Sequence, residues 1–287
     1  MGAATASPCL PRTVPAGGYR ASAAGTVRSE FTKIRSVRST YWTLFLLVAA
    51  GVAWSIAYCA GEASRWASMA PQDRLGFDPT QSSVVGLALL GQLVIVVLGT
   101  LTLTSEYSTG MIRTSLTVMP RREVLYGAKA AVLTAVALAA AALVVALLAS
   151  FASFFIGQAL LSSTHVSATL SQPNVLRAVI GSALYVVLCG LFAFGLGAIL
   201  RSTAGAMTAA YGFLFLVPQL AKALPSSWYA DVDRWLPGGD VVNAITNTQS
   251  VNASQHLFSA WGEFAVFGAY TLAVLVAGAL LIRRRDA

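Results

Sequence analysis

The sequence predicts an all-α, polytopic integral membrane protein, with six transmembrane helices preceded by an N-terminal interfacial amphipathic helix. Three observations carry this. Of the 287 residues, 56% are apolar and only 10% are charged, well under the roughly one-quarter charged share of soluble domains. Mean hydropathy is +0.70. The few charges are bunched, leaving uncharged runs that supply the ~20 residues needed to cross a bilayer core. A soluble enzyme, a disordered chain and a disulfide scaffold are excluded on the same grounds.

Residues 1–26 are rich in Ala, Gly, Pro and Ser, with Arg12 and Arg20 and no apolar core segment. They read as a disordered cytoplasmic tail rather than a cleavable signal peptide. The six-span domain occupies 27–287. It opens on Val27–Arg38, where Val27, Phe31 and Ile34 recur at i, i+4 and i+7 while Glu30, Lys33 and Arg35 fall elsewhere. Such a stripe suits a helix lying along the membrane surface, and Arg38 closes it.

Absence of charge places the spans at about 40–60, 84–104, 130–150, 178–200, 204–221 and 264–282. The stretch Ala130 to Leu176 is uncharged and long enough for two spans. Its second half collects Ser162, Ser163, Thr164, His165, Ser167, Thr169, Ser171, Gln172 and Pro173, which predicts one span near 130–150 and a polar loop after it. Arg201, Ser202, Thr203, Ala204 and Gly205 mark a tight turn between the fourth and fifth spans. Residues 222–263 form a long loop in which Pro237-Gly238-Gly239 reads as a turn.

Six spans put both ends on one side, and the Lys/Arg bias selects the cytoplasm. That assignment leaves only Arg65, Arg74, Arg177, Lys222 and Arg234 outside. The tail, Arg113, Arg121, Arg122, Lys129, Arg201 and Arg283 to Arg285 fall inside. A seventh span would move the last three arginines outward. The net charge of +8 therefore reads as a basic inner rim facing anionic lipid, not as a nucleic-acid site, which would need a basic soluble face.

The spans offer little chemistry. No Asp, Glu, Lys or Arg lies within the assigned limits, whereas ion-coupled carriers commonly place ionisable groups at membrane depth. His165 and His256 fall in outer loops. Cys9, Cys59 and Cys189 are too few and too scattered for a metal site or disulfide frame. No catalytic residue, metal site or bound cofactor is expected, and there is no G-x-x-x-x-G-K-[ST] phosphate loop. Gly190, Gly195 and Gly197 allow close helix packing.

The longest inner loop is more informative. After Glu106 and Tyr107, Gly110 permits a bend. Met111, Ile112 and Leu116 can then form the apolar ridge of one short helix that includes Arg113. Pro120 ends it, just before Arg122. A short amphipathic helix held between two spans suits a groove on a partner protein.

Two motifs extend this. Ser29, Glu30, Lys33, Arg35, Arg38, Ser39 and Thr40 precede the first span, and Glu106, Tyr107, Gly110, Ile112, Arg113, Leu116, Pro120, Arg122 and Lys129 follow the second. Over roughly 27–287 the chain resembles the permease subunit of bacterial ATP-binding-cassette exporters of the second type, particularly actinobacterial ones. The resemblance implies a half-transporter in the bacterial plasma membrane, paired with a second permease subunit as a homodimer or heterodimer. Each copy would dock on a separate ATPase subunit that holds ATP and Mg²⁺. The segment after Glu106 would be the coupling helix, and the one containing Glu30, Phe31, Lys33, Ile34, Arg35 and Arg38 the elbow helix beside it. The resemblance also implies short re-entrant helices within 222–263, which Pro218 and Pro225 would set off. The substrate would be a hydrophobic or amphipathic drug, antibiotic, lipid or peptide, exported rather than imported. The alternative is a secondary carrier or channel without an ATPase partner.

Overall fold

The computed structural model describes residues 38–108, 123–225, 239–248 and 259–285, and throughout these the regular structure is helical. The chain opens with α1 (Arg38–Arg65). After a short turn come α2 (Pro71–Leu75), α3 (Pro79–Ser108) and α4 (Glu123–Leu161). Next are α5 (Val175–Leu200) and α6 (Thr203–Tyr211), the latter continuing through a π-helical turn, Gly212–Leu216, into α7 (Val217–Ala221). An eight-residue helix, α8 (Gly239–Thr246), precedes α9 (Ala260–Arg285). Six helical stretches are long and apolar enough to cross a membrane: Thr40–Ser68, Pro79–Thr104, Thr134–Thr164, Val175–Leu200, Thr203–Ala221 and Ala260–Ile282. Helices suit that setting because each satisfies its backbone polar groups internally.

The helices alternate in direction. Leu47 meets Gly91, and Trp54 meets Gly86, so α1 and α3 run antiparallel. At one end of the bundle Gln158 reaches Pro79 and Ser83, and Ala168 packs with Val175 and Val179. At the opposite end Thr104 meets Thr203, while Val132, Ala198 and Ile282 converge. Arg38 and Arg285 therefore share this second end, here called the terminal end; the first is the far end.

The centre belongs to α3 and α5, whose membrane-length stretches are 61% and 67% buried, against 22% for α1 and α9. Their backbones touch at Gly99 and Gly190, where a Cβ on Gly99 would land on the Gly190 carbonyl oxygen. This is the close approach that small residues give helices in lipid.

Three expectations need adjusting. The third membrane helix does not stop near 150 but runs on to Leu161, and the long polar side chain in that extension, Gln158, finds partners. The Gln158 amide donates to the Pro79 carbonyl (2.9 Å) and to Ser83 Oγ (3.0 Å), and its oxygen accepts from the Ala168 amide (2.6 Å). The fifth span is not one regular helix. Pro218 has no N–H to give and its ring crowds the preceding turn; just before it, the Val217 amide reaches back five residues to the Gly212 carbonyl. Pro218 itself lies inside α7 rather than ending the helix. The turn at Arg201 is as tight as its sequence suggests. Arg201 has φ 51°, and the Ser202 hydroxyl caps α6 by accepting from the Gly205 amide.

Candidate functional site

Of the residues singled out by the sequence, Glu106 and Tyr107 lie in the last turn of α3, and Arg38 is the first residue of α1. Gly110, Met111, Ile112, Arg113, Leu116, Pro120 and Arg122 lie outside the described residues, as do Glu30, Phe31, Lys33, Ile34 and Arg35. The helix ends that flank these two segments, the start of α1, the end of α3 and the start of α4, all belong to the terminal end. Approaching that end, α3 carries Thr100, Thr102 and Thr104. All three bond back to carbonyls of their own helix, Thr104 also pairing with Thr203 Oγ1 at 2.8 Å.

Mid-bundle, several buried polar side chains pair with one another or with backbone carbonyls, whereas Trp54 Nε1 and Ser153 Oγ are buried without a hydrogen-bond partner among the described residues. Gln92, 2% exposed, accepts from the hydroxyl of the fully buried Tyr185 at 2.7 Å. Ser150 and Ser182 share a hydrogen bond of 2.8 Å, and Ser55 donates to the Ser153 carbonyl. Tyr185 and Phe192 flank the Phe267 ring, with centroids 5.6 and 6.1 Å away. Cys59 and Cys189 are buried free thiols. Among the described residues, no group of three or more His, Cys, Asp or Glu side chains is placed to hold a metal ion.

At the far end a polar clamp surrounds Asp78, which is 5% exposed. Its Oδ1 caps α3 by accepting from the amides of Thr80 (2.9 Å) and Gln81 (3.0 Å). Its Oδ2 accepts from both the hydroxyl (2.8 Å) and the amide of Thr248. Beside it, Arg177 donates to the Asn247 carbonyl, and Gln81 donates to Asn243 Oδ1 at 3.3 Å. These bonds fasten α8 to α3 and α5, and the helix also packs against α9. The helix seats itself through Val241, Val242 and Ile245, all nearly or fully buried. A Cβ on Gly181 would collide with Ile245, so the glycine makes the seat.

At the terminal end, α4, α5 and α9 enclose a cleft of about 320 Å³ lined only by apolar side chains. Ala139, Phe194 and Ala198 form part of its wall, and Leu272 to Ile282 of α9 run along it.

Residues 26–202 match the family described as ABC-2 family transporter protein. The chain belongs to that family. It is accordingly a transmembrane subunit of an ABC transporter rather than a catalytic one, with the six apolar helices such a subunit needs. No curated protein and no solved structure matches it. The family match covers α1 to α5 of this ABC-2 subunit and stops at the turn into α6, so α8 and Thr248 lie beyond it.

Sequence reasoning missed the clamp and placed no ionisable residue in any span. In the structure Arg177 and Glu263 sit in the first turns of α5 and α9, just outside the assigned limits. The signal for Asp78 was present: Asp-Pro-Thr before an apolar run is a helix start, with proline at the first helical position. Nothing local pointed to its partner Thr248, 170 residues away.

Proposed function

We propose that this ABC-2 subunit is half of a membrane pathway that exports a hydrophobic or amphipathic compound, driven by a separate ATP-hydrolysing subunit docked at its terminal end. The observation that carries this is the family match over 26–202, which spans both segments expected to face such a partner. In this reading 106–122 is the coupling helix and 27–39 the elbow helix beside it. Ile112 and Leu116 fill a groove on the partner. Glu106 fixes the start of the coupling helix through a basic residue or free backbone amides. A second permease subunit completes the pathway. ATP and Mg²⁺ belong to the partner, since this chain carries no phosphate loop.

The partner can drive this chain only by holding its two conformations with different affinity. Ile112 and Leu116 are suited to that task, because an apolar anchor is lost when an interface opens and costs nothing to membrane insertion. The double substitution Ile112→Asp, Leu116→Asp is expected to leave the subunit inserted and folded while abolishing substrate-stimulated ATP turnover and export. Wild-type ATP turnover and export in that variant would refute the assignment. The decisive first measurement is co-purification: an ATPase subunit should be retained by the wild-type chain and released by the double variant.

A further inference from the structure

The cleft between α4, α5 and α9 has features that the transport reading does not use. Among the described residues its lining holds no polar side chain, so none of them can orient or satisfy a polar ligand, and an unpaired polar group would be costly to bury. It opens sideways: Val132, Val136, Leu272 and Val276 at its mouth are 53%, 59%, 62% and 49% exposed. Its back wall is closed, Phe194 and Ala198 being 3% and 4% exposed. At about 320 Å³ it falls at the lower end of the ~300–1,000 Å³ typical of small-ligand pockets.

Its length and its rim select the occupant. From Leu272 to Ile282 the lining follows α9 for ~15 Å at 1.5 Å per residue, about half of the ~30 Å hydrocarbon thickness. The cleft therefore spans one leaflet. At its terminal end Ile282 is followed at once by Arg283, Arg284 and Arg285, of which Arg284 is exposed. A hydrocarbon slot of leaflet length with the exposed Arg284 two residues beyond its terminal end matches a lipid of opposite charge.

We propose that this cleft binds one acyl chain of an anionic phospholipid, whose headgroup is held at the Arg284 end of α9. The site depends on the chain being embedded in a bilayer and not on its having an ATPase partner, so it stands or falls separately from the export reading. Burying methylenes supplies the affinity and Arg284 supplies the headgroup preference.

The test uses the full chain purified in detergent and exchanged into vesicles of phosphatidylglycerol and phosphatidylcholine. A phosphatidylglycerol bearing a photoactivatable group midway along one acyl chain is crosslinked and the labelled peptides are mapped. Labelling should concentrate on 132–139, 191–198 and 272–282, well above that at Val144 and Leu148. Both of these are also exposed on α4 (59% and 65%) but lie outside the cleft. Ala139→Phe with Ala279→Phe fills the cleft from its open side and should abolish the excess labelling. Arg284→Gln should shift capture toward the phosphatidylcholine analogue. Uniform labelling of all exposed α4 and α9 positions in the wild type would overturn the proposal, whether or not the filled variant folds. So would protection of the three segments by a second copy of the chain, seen as protein–protein crosslinks there.

Discussion

The Asp78 carboxylate accepts four hydrogen bonds, two from the first turn of its own helix and two from Thr248. A buried acceptor of this kind is expensive to remove, because its donors stay behind without partners. Asp78→Ala should cost about 2–3 kcal/mol, the scale for hydrogen bonds to a charged group, and should lower the thermal midpoint in detergent. Asp78→Asn separates the two halves of the clamp. Its amide oxygen can still cap α3, but its –NH₂ group faces the Thr248 donors. The loss should therefore appear at α8 rather than in overall stability. With Cys9→Ser as background and Cys59 and Cys189 both fully buried, Val242→Cys reports on α8: Val242 is 2% exposed. Thiol labelling of Val242→Cys should be slow in the otherwise wild-type chain and fast with Asp78→Asn. Equal rates would show that Asp78 does not hold α8 down.

At the scale of elements the closest fit is the α3–α5 crossing. A Cβ at Gly99 would meet the Gly190 carbonyl, and one at Gly190 would meet Ile95 Cγ1 at 2.8 Å. Gly99→Ala should force the two central helices apart and cost about 1–3 kcal/mol, as overpacking does. Gly268→Ala on α9 is the matched control: nothing lies within 4 Å of its Cβ, so the ~1 kcal/mol gain in helix propensity should show as unchanged or higher thermal stability. The six membrane helices were legible in sequence because charge is excluded from apolar spans whatever their neighbours are. Gly190 was legible as a packing residue, but its partner Gly99 was not, since a crossing point depends on the arrangement of two helices. The same holds for the extension of α4 to Leu161. The polar residues from Ser162 to Pro173 do follow the helix end, but the bonds that bury Gln158 against Pro79, Ser83 and Ala168 are tertiary and left no local trace. In α8, Val241, Val242 and Ile245 carried a clear amphipathic signal that went unread, but the seat at Gly181 is a tertiary feature. The expected coupling and elbow residues fall almost wholly outside the described residues, so their roles rest on motif and family alone.

For the whole molecule, the alternation of helices puts Arg38 and Arg285 at one end and the 162–174 loop at the other. Which end faces the cytoplasm is decided by charge. The far-end segments contain Arg65, Arg74 and Arg177, together with Lys222 and Arg234 of the connection to α8. The terminal-end segments contain the remaining lysines and arginines, including three in a row after Ile282. Moving that cluster across a bilayer against the positive-inside bias is unfavourable, so the terminal end should be cytoplasmic. In the Cys9→Ser background, Ser163→Cys sits in the exposed far-end loop and should react with a membrane-impermeant thiol reagent in intact cells. Ala287→Cys should react only after the membrane is opened. The two sites must behave oppositely, so each controls for expression and reagent access in the other. The reverse pattern would place residues 106–122 on the outer face. No ATPase subunit could reach them there, and the export reading would fail even though the six-helix fold stood.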